Sequence, residues 1–202
     1  MRKYGLTCFL FCNPPKGIPM SVESILEKYT SSPALLPHPI CEYAYISPKD
    51  IEFSQEVRDA CAENICGMYG KSWSCPPGAG EWQDLRDHFR SYSHAFLFTT
   101  KHEISGWSDR AGMDKARHIH TSTERTIEKE LLDEGEKIEI CGAEGCNLCK
   151  KCTYPDAPCR YPELCHYSME ATGMNVMKLA KDKNIRYNNG TNTITYFSVI
   201  FW

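Results

Sequence analysis

Four cysteines fall within fourteen positions in Cys146-Asn-Leu-Cys149-Lys-Lys-Cys152-Thr-Tyr-Pro-Asp-Ala-Pro-Cys159. The first three follow one another at two-residue gaps, so a short loop can turn several sulfurs toward one point, as a thiolate-bound metal centre requires. A second group precedes it, Cys61-x4-Cys66-x8-Cys75-Pro76-Pro77, set in Gly- and Pro-bearing sequence that packs poorly as core. The chain holds 12 cysteines in 202 residues. Its opening apolar stretch is too short for a signal peptide, so the thiols are expected to stay reduced, where clustered cysteines hold metal rather than disulfides. No apolar run approaches the ~20 residues of a membrane span, and a soluble, cytoplasmic protein is expected. A formal net charge of -3 and a pI near 6.2 give no basic excess for nucleic acid.

Residues 1–40 read as an N-terminal extension and 41–202 as the metal-binding domain. Within the extension, Ser21 to Tyr29 has the pattern of a short helix, with Ser21 as N-cap and Ile25, Leu26 and Tyr29 on one face. Cys8 and Cys12 form a weak C-x3-C and read as free thiols. Tyr43 to Ile46 reads as a strand, Phe53 to Cys61 and Glu81 to Tyr92 as helices, and His94 to Thr100 as a buried strand. Gly78-Ala-Gly80 is not a nucleotide fingerprint, because Gln83 stands where a glycine is needed and no strand precedes it. The longest helical pattern runs from Gly112 to Glu134, with Met113, Ala116, Ile119, Thr123, Ile127 and Leu131 on its stripe. Its His118 and His120 point to different sides and are expected in solvent. Lys137 to Ile140 reads as a short strand leading to the cysteine loop.

Beyond the loop, Ser168 is placed as the N-cap of a helix to Asp182. Ile185 to Tyr187 and Thr193 to Trp202 read as the arms of a hairpin turning at Asn188-Asn189-Gly190. Asn189-Gly-Thr191 matches a glycosylation acceptor, which carries no meaning without secretion. The expected fold is a single α/β (α+β) domain: a mixed, mostly antiparallel sheet flanked by helices on one face, with the two cysteine groups meeting at one end.

Iron–sulfur is favoured over zinc. Structural zinc usually takes two separated knuckles, whereas here the knuckles overlap as C-x2-C-x2-C followed by a fourth cysteine, the grammar of a [4Fe–4S] site. The ferredoxin run has three residues before its last cysteine, and this loop has six. Radical S-adenosylmethionine chemistry lacks its C-x3-C-x2-C, and serine-hydrolase and P-loop motifs are absent.

Five blocks in order, Arg58-Asp-Ala-Cys61, Cys66-x2-Tyr69-Gly70-Lys71-x2-Ser74-Cys75-Pro76-Pro77, Cys146-x2-Cys149-x2-Cys152, Cys159-Arg160-x-Pro162 and Ser168-Met169-Glu170-Ala171-x-Gly173-x-x-Val176, resemble the cysteine-rich "predicted metal-binding protein" domain of unknown function 2284, found mainly in anaerobes. The resemblance covers about Tyr45 to Trp202 and departs from the family at Cys165-His166-Tyr167. It implies metal binding through Cys61, Cys66, Cys75, Cys146, Cys149, Cys152 and Cys159, as iron–sulfur, and assigns no reaction.

Two closed four-iron clusters need eight protein ligands, and this set has seven. In two-cluster ferredoxins the distant cysteine serves the other cluster. By that precedent Cys159 completes the Cys61, Cys66 and Cys75 site, leaving the Cys146 loop one ligand short. Cys165, Cys141, His166 or no side chain at all can fill that place. Arg160 and the helix N-terminus at Ser168 are cofactor-binding candidates, through hydrogen bonds to cluster sulfur and a favourable dipole. Tyr69, Lys71 and Trp73 are candidates to cover the first site. Three functions stand: an electron carrier with one or two [4Fe–4S] clusters and a redox partner protein, an enzyme with an open iron, and a zinc-binding structural or metal-delivery module.

Overall fold

A computed structural model describes residues 20–202; Cys8 and Cys12 lie outside the described residues. Five strands form one sheet in the order β1-β2-β5-β3-β4: β1 (Tyr43–Ile46), β2 (Ala95–Glu103), β3 (Glu139–Gly142), β4 (Tyr167–Ser168) and β5 (Thr193–Phe201). All neighbours are antiparallel except β3 and β4. The expected mixed, mostly antiparallel sheet is therefore what this chain forms.

Most of the helices start where the capping chemistry directs, α3 being without a side-chain cap. Ser21 accepts the Ser24 N–H at the head of α1 (Val22–Ser31), and Val22, Ile25, Leu26 and Tyr29 are its buried stripe. Ser54 caps α2 (Gln55–Ala62), which carries Cys61 near its last turn, and α3 (Trp82–Arg90) buries Leu85 and Phe89. Asp109 caps α4 (Arg110–Asp133), accepting the Gly112 N–H at 2.8 Å. Gly135, at φ 89°, follows that helix in the left-handed conformation glycine tolerates best.

Helices cover both faces of the sheet, not the one face expected. Phe96, Phe98, Ile140 and Ile200 pack under α1 and α4, while Leu97, Val199 and Phe201 pack on the opposite side with Phe89 of α3 and Leu179 of α5 (Val176–Asp182). The cause lies in β2, where Ala95 to Thr100 are all buried. A strand apolar on both alternations must be covered twice. α1 belongs to the same core: Lys28 and Tyr29 both bond the Glu130 carboxylate, and Trp202 Nε1 donates to Glu23 at 3.1 Å.

Three local expectations are corrected. No C-terminal hairpin forms, because both edges of β5 are taken by β2 and β3. Ile185 instead closes α5 through its N–H to Ala180, and Arg186 binds the Glu42 carboxylate. Ser168 is not a helix cap. It pairs with Gly142 in β4, and its backbone N–H goes to Ser74. Only a 3-10 turn (Glu170–Thr172) follows before Gly173, at φ 86°, breaks the path, and α5 has its own cap in Asn175. Lastly, His118 is exposed but His120 is fully buried, because polar Thr100 and Ser198 on the sheet meet it there.

Candidate metal centre

The two cysteine groups meet at one end of the sheet, as expected, and a serine loop joins them. Ser74 Oγ accepts the Cys146 N–H at 2.7 Å and shares a 3.0 Å hydrogen bond with Ser72, and Ser74 O accepts from Ser168. Trp73 donates to Ala157 O at 3.1 Å and meets Tyr154 edge-on. Gly145 allows the closest approach: a Cβ there would lie 2.8 Å from Cys75 Sγ. The first group's last sulfur therefore sits against the residue that precedes the second group.

Cys146, Cys149, Cys152, Cys159 and Cys165 line one cavity of about 250 Å³, with Lys71, Trp73, Arg117 and Arg160 also on its wall. A thiol hydrogen bond from Cys165 pulls Cys146 down to about 5. Burial opposes that shift, and the backbone N–H groups of Leu148 and His166 and the charge of Arg125 assist it. The same bond, with burial and the nearby Cys146, Cys159 and Cys152, pushes Cys165 far up. Cys159 thus stands with the loop and Cys165, rather than with the Cys61 group. Arg160 fastens the loop to itself, donating to Lys151 O at 2.9 Å, and Thr153 does the same to Pro158 O at 2.8 Å. Among the described residues, no three Cys, His, Asp or Glu side chains close on a single-ion point.

Cys61, Cys66 and Cys75 form the other group. Burial raises the Cys61 thiol to about 11, and the charges of Glu170, Cys66 and Cys75 add to the rise against Arg58. Burial also raises Cys75, opposed by hydrogen bonds from Ser72 and Ser74 and reinforced by Cys66 and Glu170. Glu170 is the residue that sequence reasoning missed. It lies on the 3-10 turn that packs against α2, and Ser168 Oγ donates to its Oε2 at 2.8 Å. Arg58 binds the Ala171 and Gly80 carbonyls and so ties α2, this turn and the Cys75 loop together.

The three candidates for an eighth ligand occupy different surroundings. Cys165 is on the cavity wall. Cys141 is fully buried in the apolar core beside Met169 and Val199, and its thiol is raised well above the ordinary value, chiefly by burial. His166 has both ring nitrogens engaged, Nδ1 with Glu124 at 3.3 Å and Nε2 with Glu128 at 2.8 Å. Burial disfavours its charge, but those two carboxylates more than offset this and raise it to about 9.

Among the described residues no helix is long and apolar enough to cross a membrane. No curated protein and no solved structure matches the chain. A family model does, that of the predicted metal-binding protein family DUF2284, over residues 44–202. That span contains both cysteine groups and the serine loop between them, and the chain belongs to this family of predicted metal-binding proteins.

Proposed function

We propose that the protein is an iron–sulfur electron carrier of the reducing cytoplasm, holding a [4Fe–4S] cluster at the Cys146 loop and a second at Cys61, Cys66 and Cys75, and serving a redox partner protein. The observation that carries this reading is the spread of five thiols around a cavity of about 250 Å³. Tetrahedral zinc asks for four donors at about 2.3 Å from one ion. A four-iron cluster offers each cysteine its own iron, so its ligands stand around a volume.

When bound, such a cluster supplies reversible one-electron chemistry. The chain's own contribution is positional and electrostatic. Ser74 fixes the backbone at Cys146, Trp73 and Tyr154 cover the loop, and Lys71, Arg117 and Arg160 bring positive charge to a wall of thiolates.

A second reading, an enzyme with an open iron, is supported by the cysteine count at the Cys61 group, which offers three thiols while five surround the other cavity. The test is anaerobic purification with iron, acid-labile sulfide and zinc quantitation on the wild type, Cys149→Ser and Cys66→Ser. The proposal expects iron and sulfide in equal amounts, with each variant losing about half. A colourless protein with stoichiometric zinc and no sulfide overturns it in favour of a zinc module.

A further inference from the structure

The Cys146 cavity holds one thiol more than its metal reading uses. Cys146, Cys149, Cys152, Cys159 and Cys165 all line it, whereas a four-iron cluster takes four thiolates, one on each iron. Cys165 also lies in the Cys165-His166-Tyr167 stretch, where the chain departs from the family pattern.

Two of the five sulfurs are in hydrogen-bond contact. The Cys165 thiol meets the Cys146 sulfur, which also receives the backbone N–H groups of Leu148 and His166. The chain on either side is pinned independently of that contact. Ser74 Oγ accepts the Cys146 N–H at 2.7 Å while Ser74 O accepts the Ser168 N–H at 3.3 Å, so one serine holds the Cys146 loop against the strand that Cys165 leads into. The Cys165 N–H closes a turn on Pro162 O at 3.2 Å, and Cys146 and His166 together line a second, smaller cavity.

A disulfide needs its sulfurs at about 2.05 Å, and thiols already in contact are placed to form one. Both residues are half-buried, on the wall of a cavity of about 250 Å³. Other thiols nearby are worse placed: Cys141 is sealed in the apolar core, and Cys75 is buried against Ser72 and Ser74.

We infer that Cys146 and Cys165 are a redox-reactive dithiol, which a small disulfide of the glutathione class oxidises when metal leaves the cavity, closing the Cys146 loop to metal until a thiol reduces it. The count of a surplus thiol and the effect on metal rest on the iron–sulfur reading; the sulfur contact does not. The Cys146 thiolate attacks one sulfur of the reagent, forming a mixed disulfide and releasing one thiolate. Cys165 loses its proton and attacks the Cys146 sulfur, forming the Cys146–Cys165 bond and releasing the second thiolate. The two cysteines give up two electrons and two protons, and the reagent takes them as two thiols. In a reducing compartment such a bond is transient, which suits a sensor of oxidation.

The test uses the full chain as purified anaerobically with its metal, assayed for iron, zinc and sulfide, and then incubated with oxidised glutathione and a chelator that captures metal as it leaves. Samples are alkylated, digested and mapped for disulfides by mass spectrometry. The Cys146–Cys165 cross-link is expected to accumulate in step with metal release, at least tenfold above any other pairing of the five thiols. Dithiothreitol should remove it and restore metal uptake. Cys165→Ser should instead trap glutathione on Cys146, and Cys159→Ser should keep the cross-link. Alkylated Cys165 in oxidised wild type, or Cys165 joined equally to Cys149, Cys152 and Cys159, overturns the dithiol even where iron and sulfide are present. Full metal uptake by the cross-linked protein overturns the closure. Zinc without sulfide overturns the iron–sulfur reading and leaves the cross-link to be scored on its own.

Discussion

Replacing His166 with Gln tests the buried ion cluster beside Cys146. In the fold this imidazole titrates at about 9, against an ordinary 6.5, because Glu124 and Glu128 hold its two nitrogens. At about 1.4 kcal/mol for each tenfold change in proton affinity, the difference corresponds to about 3 kcal/mol. The sign follows from a folded value above the unfolded one. The contribution is fully present below about pH 6.5, declines as pH rises, and is lost once pH passes about 9. Urea unfolding of metal-loaded wild type and His166→Gln under anaerobic conditions, at steps from about pH 6 to pH 10, gives the stability difference free of thiol titrations common to both. That difference should shrink by about 3 kcal/mol across the range, and a difference constant with pH would refute the assignment of His166 as a buried imidazolium. The acid limb has the opposite sign. Burial raises Glu124 and Glu128, but hydrogen bonds and charge from His166, with His120 at Glu124 and Arg125 at Glu128, lower both overall. Their contribution is present above an ordinary 4.5 and lost as pH falls below it.

Ser74→Ala leaves the Cys146 N–H without its acceptor, and a loss of about 1–3 kcal/mol is expected in thermal or urea unfolding, together with weaker metal retention against a chelator. Gly145→Ala drives a methyl to 2.8 Å from Cys75 Sγ and 3.2 Å from Ser74 Oγ; overpacking of this kind costs about 1–3 kcal/mol, and the variant should lose metal from both cysteine groups, measured by iron and sulfide content.

The elements legible in the sequence are those with a strong local signal. Ser21 with the Ile25, Leu26 and Tyr29 stripe, the Ala116 to Leu131 stripe of α4 and the apolar run of β2 needed no tertiary information, because period and capping act within a few residues. The cysteine spacing announced metal chemistry for the same local reason, and the family assignment agrees. What the sequence could not reveal depends on contacts between distant segments. Ser168 has the composition of a cap, but its backbone is already committed to Ser74 and its strand to Gly142. Ile185 and Tyr187 alternate like a short strand before an Asn-Asn-Gly turn, yet β5 has no free edge to pair with them.

By itself, then, the sequence determined the locally capped helices, the buried strand β2 and the metal-binding character. Only the tertiary structure decided that Cys159 and Cys165 share a cavity with the Cys146 loop, that the turn carrying Glu170 packs against the helix carrying Cys61, and that His120 and His166 are buried with Glu124 between them. Thiol spacing within a loop is set by a few backbone angles, whereas the partner of a buried charge is set by how whole helices lie on the sheet. In α4 a histidine and two glutamates occupy positions 120, 124 and 128 on the buried side. A stripe rule written for apolar residues passes over them, although the cost of burying charge makes them the residues whose neighbours matter most.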